Sequence, residues 1–468
     1  MKRGFFVACG GAVLLLGSTP GCMRAAHESG RNVLLIVVDT LRADHLGSYG
    51  YPRPTSPRMD ELAARGARFA NARAASSWTL PSVASILTGV YPAVHGAESV
   101  GTVVSERLRV MPEAFRDAGY ATAAVSANPA FVTPTQGFAR GFQRFDVLHG
   151  PPTEKESPAA VSDSSLESWF VGATAKDVTT AALGWLAARP PAQPFFLYLH
   201  YFDPHAAYSP PAEMARRFGV ADGDPLAGPA QWPVLLARTP PAPDVLGTLV
   251  SLYDAEVAST DAAIGRLLDG LPRGVAESTI VVVTADHGEE FGEHGGVQHG
   301  RTLFDELLRV PLLITGPGIP EKLQVDAPVS LVGLWPTIAA LAGAGAPPDV
   351  VAPASFAPLL GGAGAAPPVF ADLDERYPGD PQRHRRALVE GSWKLLIDTQ
   401  RGTALYDLGR DPGEHAALTD SRELQSRMRT EIFNRDVIAV ASRTASPPGR
   451  IPFDPAWQAR LKALGYLQ

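Results

Sequence analysis

The chain has 468 residues, of which 45% are hydrophobic and 19% are charged, the composition of a folded globular protein. This length predicts one large α/β domain or two unequal domains. The formal net charge is −7 and the sequence contains no basic run, which argues against binding of nucleic acid. The 45 glycines and 43 prolines predict many turns and long loops.

Residues 1–22 have the order of an export signal. Lys2 and Arg3 precede an apolar run that ends in small residues before Cys22. The run is shorter than the roughly 20 apolar residues of a membrane-spanning helix, and Cys22 resembles the lipid acceptor of a bacterial lipoprotein. Cleavage there would remove Cys9 and leave no internal disulfide. We therefore expect an exported protein of the periplasm or cell envelope, with a lipid tether or an uncleaved anchor helix as two forms of attachment.

Three apolar runs of strand length end in polar residues. They are NVLLIVVDT at 32–40, PFFLYLHYFDPH at 194–205 and STIVVVTADHG at 278–288. Continuous β-branched runs are typical of strands buried on both faces. Amphipathic helices are predicted between the runs, as in SPRMDELAARGARF at 56–69 and LVSLYDAEVASTDAAIGRLLDGL at 249–271. This alternation predicts an α/β fold with a mostly parallel central sheet flanked by helices.

A Gly-, Ala- and Pro-rich stretch at 343–368 predicts a domain boundary. Beyond it, ALVEGSWKLLID and TALYDLGRDPGEHAAL predict a pair of strands, a turn and a helix, which is a small α+β subdomain. The predicted units are a catalytic domain at 30–345, the C-terminal subdomain at 366–435 and a tail at 436–468. The Pro-, Ser- and Ala-rich stretches at 150–165 and 222–245 are predicted surface loops near the mouth of the site.

Polar residues follow two of the predicted strands. Ligands gather beyond the carboxyl ends of parallel strands, so Asp39, Asp286 and His287 are predicted to bind a divalent ion there. The Gly-rich loop that follows carries His294 and His299. A histidine in such a loop gains no packing, which favours a functional role.

These segments resemble the sulfatase family of the alkaline phosphatase superfamily over nearly the whole chain after the export signal. NVLLIVVDTLRADHLGSYGY is similar to the family's opening strand and metal segment, and TLPSVASILTG is similar to its nucleophile motif, C/S-x-P-S-R-x-x-x-L-T-G. TADHGEEFGEHG and LFDELLRVPLLI are similar to the second metal segment and the next strand. WKLLID and LYDLGRDPGE are similar to the C-terminal subdomain. With its leader, the chain also resembles bacterial lipoprotein hydrolases of this family.

The resemblance implies a divalent ion surrounded by four residues and a substrate faced by two histidines. The implied metal residues are Asp39, Thr79, Asp286 and His287. The implied substrate-facing residues are His205 and His299. Mn²⁺ or Zn²⁺ is expected, since histidine ligands favour these ions, although Ca²⁺ and Mg²⁺ also accept such a set.

Several positions depart from the family pattern. Thr79 stands where sulfatases carry the Cys or Ser that becomes formylglycine, and Val83 replaces the arginine that supports that residue. Thr40 replaces the second Asp of the usual pair. Ala127 and Pro129 stand at the Lys and His positions of the G-K-x-H segment. The usual sulfate-binding groups are therefore missing from these positions.

A threonine at position 79 favours phosphoester over sulfate-ester cleavage. Its hydroxyl is a weak nucleophile at neutral pH unless a cation lowers its pKa, and an ion held by Asp39, Asp286 and His287 would do so. Water can hydrolyse a covalent phosphothreonine, so no aldehyde is needed. The pattern resembles phosphodiesterases, phosphonate hydrolases and the phosphoglycerol or phosphoethanolamine transferases that use a threonine.

Four residues in all are predicted to contact the substrate. His205 and His299 are expected to bind it or to protonate the leaving group, and the alternative is a second metal site completed by Asp203. Asn128 and Asp203 are expected to bind substrate oxygens. The residues predicted to be structural are Trp78, His45, His95 and His200.

The leading interpretation is an exported, metal-dependent hydrolase that cleaves a phosphate or sulfate ester of a small molecule, glycan or lipid through Thr79. The first alternative is a transferase that passes a phosphoglycerol-type or phosphoethanolamine-type group to an envelope acceptor, although such relatives carry several membrane spans. The second is a non-catalytic binder of sulfated or phosphorylated glycans, which the retained metal residues argue against. No protein partner can be inferred from the sequence.

Overall fold

The structure is a computed structural model, and it covers most of the predicted catalytic domain and most of the C-terminal subdomain. The described residues are 1, 30–149, 173–237, 239–344, 347, 355–374 and 384–450. The export signal apart from Met1, the predicted loop at 150–165 and the tail beyond Arg450 lie outside the described residues.

Strands and helices alternate along the catalytic domain, as predicted. The strands are β1 Asn32–Val38, β2 Ala67–Phe69, β3 Ala72–Arg73, β4 Thr102–Val103, β5 Ala121–Ser126, β6 Arg144–Val147, β7 Phe195–Tyr201, β8 Thr279–Ala285, β9 Glu290–Phe291, β10 Val297–Gln298, β11 Leu312–Thr315, β12 Leu323–Val325, β13 Val329–Ser330, β14 Val369–Asp374, β15 His384–Glu390, β16 Trp393–Asp398, β17 Gly402–Asp407 and β18 Gly449–Arg450. The helices are α1 Pro57–Ala64, α2 Thr79–Thr88, α3 Pro92–His95, α4 Met111–Asp117, α5 Ala175–Ala188, α6 Ala212–Arg217, α7 Trp232–Leu236, α8 Pro243–Asp269, α9 Arg273–Glu277, α10 Asp305–Leu308, α11 Leu334–Ala342 and α12 Arg422–Ala445. Short 3₁₀ turns occur at Ala43–His45, Gly47–Tyr49, Pro134–Gln136, Gly228–Gln231, Leu331–Gly333 and Ala357–Gly361.

Within the described ranges, the catalytic domain is built on an eight-stranded sheet of order β12-β2-β11-β8-β1-β7-β5-β6. The strands β8, β1, β7, β5 and β6 are parallel, and β11 runs antiparallel to β8. All side chains of β1, β7 and β8 are buried, which fits their continuous apolar runs. The predicted α/β fold with a mostly parallel, helix-flanked sheet is confirmed.

The register of the central strands brings their carboxyl ends to one level. Val38, the last residue of β1, pairs with Tyr201 of β7 and with Ala285 of β8. The residues that follow these strands therefore emerge side by side at one edge of the sheet, where open parallel sheets bind their ligands.

One of the two predicted helices is present over nearly its full predicted length, and the other is shorter than predicted. The segment 249–271 lies almost entirely in α8, which begins earlier, at Pro243. The helix predicted over 56–69 ends at Ala64, and its last residues form β2 instead. Gly66 explains the change, since a Cβ there would lie 2.3 Å from the carbonyl oxygen of Ile314. The glycine allows the chain to turn and pair closely with β11.

The C-terminal subdomain is a four-stranded antiparallel sheet of order β14-β15-β16-β17, covered by α12. Leu388 and Leu395 of the sheet form one apolar cluster with Met428 and Ile432 of the helix. The helix runs to Ala445, past the boundary predicted at residue 435, because Ala439 is buried in a cluster with residues of α3.

The segment at 222–245, predicted as a loop, contains α7 and the first residues of α8.

Every helix in the described part of the chain is too short or too polar to cross a lipid bilayer.

Candidate active site

Asp39 follows β1, and Asp286 and His287 follow β8 at the same edge of the sheet. All three side chains are buried, and one ligand atom from each lies within 4.8 Å of the others. Their predicted proximity is therefore confirmed. It arises from register, because Val38 and Ala285, the residues before the two aspartates, are paired.

Thr79 joins this cluster from the first residue of α2. Its hydroxyl Oγ1 lies 3.3 Å from His287 Nε2, and the side chain is buried. The helix places the positive end of its dipole at Thr79, where negative charge is stabilised. One turn further, Val83 is buried among apolar residues of the core. No cationic side chain therefore stands at that position of the helix.

The carboxylate of Asp39 is held by the protein through one oxygen. Asn128 Nδ2 donates to Asp39 Oδ2 at 2.8 Å, and His200 Nε2 lies 3.2 Å from the same oxygen. Because the Asp39 carboxylate can only accept, His200 Nε2 carries the proton, and the hydroxyl of Tyr198, 3.0 Å from His200 Nδ1, donates to that nitrogen. Burial lowers the pKa of His200 to about 4, which keeps this ring neutral.

The carboxylate of Asp286 is held in the same one-sided way. Its Oδ1 accepts hydrogen bonds from the backbone N–H groups of His287 and Thr40, at 2.9 and 3.3 Å. Asp286 Oδ2 and Asp39 Oδ1 are buried and accept no hydrogen bond from any described residue. His287 Nε2 lies 3.6 Å from each of these two oxygens.

These residues fit the divalent ion that the sequence predicts. Buried carboxylate oxygens without a partner are costly, and burial raises the pKa of Asp39 to about 6. Burial and the neighbouring Asp39 raise the pKa of Asp286 well above its usual value. Two carboxylate oxygens, an imidazole nitrogen and a hydroxyl are a donor set for a divalent cation, whose charge offsets this cost.

The orientation of His287 is fixed from its other ring nitrogen. His287 Nδ1 donates to the carbonyl of Gly288 at 2.9 Å, which directs Nε2 toward Thr79 and the two carboxylates. Metal-binding histidines commonly have their second ring nitrogen engaged in this manner.

Thr40 lies in the left-handed backbone region, with φ of 54°. A β-branched residue is strained there, and such strain is concentrated at functional sites. Its N–H bonds Asp286 Oδ1, and its carbonyl accepts a hydrogen bond of 2.8 Å from the hydroxyl of Tyr253. These contacts hold the turn that carries Asp39.

His205 and His299 lie side by side next to the metal cluster. Their ring centroids are 5.0 Å apart, and the His299 ring is 4.5 Å from that of His287. His299 Nδ1 donates to Glu289 Oε1 at 2.8 Å, and Tyr208 donates its hydroxyl to Glu289 Oε2 at 3.2 Å. Burial raises the pKa of Glu289 to about 7. Sequence reasoning missed Glu289 and Tyr208; the one available indication was the acidic pair that follows the DHG segment.

Asn128 lies at the site, but both the oxygen and the nitrogen of its side-chain amide are hydrogen-bonded to other protein groups. Besides its bond to Asp39, Asn128 Oδ1 accepts the backbone N–H of Phe131 at 2.9 Å. Asp203 Oδ2 accepts the backbone N–H of Ala175, the first residue of α5, at 2.8 Å. Substrate binding by Asn128 and Asp203 stays a prediction.

A second metal site completed by Asp203 gains no support. Among the described residues, the only cluster of three His, Cys, Asp or Glu side chains near enough to share an ion is the one of Asp39, Asp286 and His287. His294 is engaged elsewhere, since its ring stacks on Phe304 with centroids 3.5 Å apart and its Nδ1 lies 2.8 Å from Glu306.

Two of the histidines predicted to be structural have structural contacts. His45 Nδ1 lies 2.7 Å from Asp254, and His95 Nε2 lies 3.0 Å from the hydroxyl of Ser85. His200, which was also predicted to be structural, contacts Asp39 within the site.

Trp78 is buried as predicted, with its ring edge-on to Phe131 and the centroids 5.5 Å apart.

Comparison with known proteins agrees with this arrangement. The profile of the family described as Sulfatase matches residues 31–344. The uncharacterized sulfatase YidJ of Escherichia coli K12 is 27% identical over 447 residues, which covers 86% of each chain. Human arylsulfatase A is 30% identical over 429 residues, and the alignment covers 82% of this chain and 78% of arylsulfatase A.

A solved structure shows the same fold. The phosphonate monoester hydrolase of Agrobacterium radiobacter aligns with a TM-score of 0.69 at 21% identity, over 89% of this chain and 96% of that one. The family profile covers more than half of the sequence and contains Asp39, Thr79, Asp286 and His287. The chain therefore belongs to the sulfatase family of the alkaline phosphatase superfamily and is a hydrolase that acts on sulfate or phosphate esters.

Proposed function

We propose that the protein is a metal-dependent phosphoester hydrolase, with a phosphodiester as the favoured substrate, and that Thr79 is its nucleophile. The observation that carries this proposal is the position of the Thr79 hydroxyl, buried at the amino end of α2 and 3.3 Å from His287 Nε2. An unmodified hydroxyl in this place suits transfer of a phosphoryl group.

The surroundings of Thr79 support phosphorus over sulfur. Sulfatase chemistry with formylglycine depends on cationic groups around the modified residue, whereas this chain has Val83, Ala127 and Pro129 at the corresponding positions. Val83 and Ala127 are both fully buried. The groups that would support an aldehyde hydrate and clamp a sulfate are thus replaced by apolar side chains.

The residues that would hold the divalent ion are Asp39, Thr79, Asp286 and His287. When bound, the ion would lower the pKa of the Thr79 hydroxyl and neutralise charge on a phosphoryl oxygen.

In the first step, Thr79 Oγ1, having released its proton to solvent, attacks phosphorus. The bond from phosphorus to the leaving oxygen breaks, and a proton from His299 or His205 neutralises that oxygen. In the second step, water attacks the phosphothreonine and gives a proton back to the same histidine. The phosphorus–Oγ1 bond breaks, and Thr79 takes up a proton from solvent in place of the one released in the first step. One water is consumed, and an alcohol and a phosphomonoester are released.

Glu289 is assigned to orient the proton donor. Its hydrogen bond to His299 Nδ1 directs the Nε2 edge of that ring away from Glu289, and Tyr208 holds the other carboxylate oxygen. This arrangement fixes one ring position for proton transfer.

We further propose export to the periplasm or cell envelope, with a tether through Cys22, and a small-molecule, glycan or lipid ester as the substrate. Membrane association that persists in the wild-type protein and is lost in a Cys22→Ala variant would support the tether. Equal distribution of both proteins to the soluble fraction would contradict it.

The proposal is tested by turnover of an aryl sulfate, an aryl phosphate monoester and a bis-aryl phosphate, with Mn²⁺ or Zn²⁺ added, by the wild-type protein and a Thr79→Ala variant. We expect the bis-aryl phosphate to be cleaved fastest and the activity to be lost in the variant. Thr79-dependent release of sulfate as the dominant activity would contradict the proposal. Formation of a glyceryl ester when glycerol is added would instead support the transferase.

A further inference from the structure

We propose that Asn128 and His200 make the metal site selective for ions such as Mn²⁺ and Zn²⁺ against Ca²⁺, because they withhold one oxygen of Asp39 from the metal. This inference rests on the proposed metal-dependent function. It assigns to these two residues a positioning role that acts on the ion through Asp39.

The protein occupies the lone pairs of one carboxylate oxygen of Asp39. Each carboxylate oxygen accepts about two hydrogen bonds. At Asp39 Oδ2 both directions are taken, by Asn128 Nδ2 at 2.8 Å and His200 Nε2 at 3.2 Å. Oδ1 accepts no hydrogen bond from any described residue. Asp39 can therefore offer one oxygen to an ion and cannot bind it through both.

Asp286 is restricted in the same way. Its Oδ1 accepts two backbone N–H groups, and only Oδ2 is left to face the cluster. Together with His287 Nε2 and Thr79 Oγ1, the site presents two single oxygens, one nitrogen and one hydroxyl.

Divalent ions differ in the number and type of ligands that they prefer. Ca²⁺ takes six to eight oxygen ligands and commonly binds carboxylates through both oxygens. Zn²⁺ and Mn²⁺ accept smaller sets that mix oxygen and imidazole nitrogen. Thr40 follows Asp39 in the chain. A carboxylate residue at this position would have added oxygen ligands for Ca²⁺, and a threonine does not. The donor set thus disfavours Ca²⁺.

Tyr198 extends this arrangement. Its hydroxyl donates to His200 Nδ1 at 3.0 Å, which leaves the N–H of His200 on the nitrogen that faces Asp39. Without this contact the proton could move to Nδ1, and the bond to Asp39 would be lost. The Tyr198–His200 pair therefore keeps a donor on Asp39 Oδ2.

The test measures binding of Mn²⁺ and of Ca²⁺ to the full-length, metal-free protein by calorimetry, in the absence of substrate. We expect the wild-type protein to bind Mn²⁺ much more tightly. His200→Phe and Asn128→Ala should each weaken Mn²⁺ binding by about 10- to 100-fold, the usual effect of losing a group that orients a ligand. They should weaken Ca²⁺ binding less or strengthen it, because Asp39 Oδ2 becomes available. His200→Gln, which keeps a donor, should restore part of the selectivity.

His95→Phe is the matched control, because His95 is an equally buried histidine that bonds Ser85 and the carbonyl of Pro81. It should lower stability without changing the ratio of the two affinities. If His200→Phe does not fold, Tyr198→Phe and Asn128→Ala decide the matter.

An unchanged Mn²⁺/Ca²⁺ ratio in the folded variants, or equal affinity of the wild-type protein for both ions, would overturn the inference. Selective Mn²⁺ binding without hydrolysis of any ester would contradict the proposed function and leave this inference intact.

Discussion

Glu289 is the residue whose role is best defined by contacts that the sequence does not reveal. It is buried, and its two oxygens are divided between His299 and Tyr208. We predict that Glu289→Gln lowers kcat by about 10- to 100-fold, because an amide cannot stabilise a cationic His299 and orients it less firmly. General acid catalysis contributes about 10²- to 10⁴-fold, so part of it should survive.

Steady-state kinetics on the bis-aryl phosphate measure this effect. Tyr208→Phe should give a smaller loss in the same direction, and Glu321→Gln, a change at an exposed glutamate, should give none. A fall in metal affinity with kcat unchanged would show that Glu289 serves the ion and not the proton donor.

At the scale of elements, the site depends on how closely the turn after β8 approaches α10. Gly288 donates its N–H to the carbonyl of Leu307 at 2.8 Å, and a Cβ on Gly288 would lie 2.0 Å from the carbonyl oxygen of Glu306. We predict that Gly288→Ala destabilises the protein by about 1–3 kcal/mol, as overpacking does, and reduces activity further by displacing His287.

Urea unfolding and metal binding together measure this change. Gly184→Ala is the control, since Gly184 lies within α5 with open space around its Cβ position, and it should stabilise the protein by roughly 0.5–1 kcal/mol. Equal stability and equal metal affinity in Gly288→Ala and the wild-type protein would contradict the proposed packing.

At the scale of the whole molecule, a buried ionic network joins the C-terminal sheet to the catalytic domain. Lys394 of β16 is fully buried, with Nζ 2.8 Å from Asp305 Oδ1 and 2.9 Å from Glu414 Oε1. Arg73 of β3 bonds the other oxygen of Asp305 at 2.6 Å. Although burial opposes it, Arg73 and Lys394 hold the pKa of Asp305 below its usual range.

Removal of Lys394 should leave buried carboxylates without their cation. We predict that Lys394→Ala lowers the free energy of unfolding by about 3–5 kcal/mol, the usual cost of breaking a buried ion pair from one side. Denaturant unfolding measures the loss, and Lys176→Ala, a change at an exposed lysine, should cost little. A loss below about 1 kcal/mol for Lys394→Ala would show that the network does not stabilise the junction.

The sequence was sufficient to predict the central sheet and the proximity of the three residues of the metal cluster. Each of the three apolar runs is a buried strand, and Asp39, Asp286 and His287 meet because they directly follow two of those strands. Adjacent parallel strands make such an encounter predictable from the pattern alone.

The contacts that orient these groups could not be predicted in the same way. His200 lies inside β7, and its bond to Asp39 joins residues 161 positions apart. That contact depends on which strand neighbours β1 and in what register, neither of which a single apolar run specifies. Glu289 likewise needed the position of His299 across a turn before its role could be seen.

The most direct test of Thr79 as a phosphoryl nucleophile is mass spectrometry of the protein quenched during turnover of a bis-aryl phosphate. We predict an aryl phosphate adduct on the peptide that contains Thr79, absent from Thr79→Ala, which should also be inactive. Full activity of Thr79→Ala, or an adduct on another residue, would contradict this account.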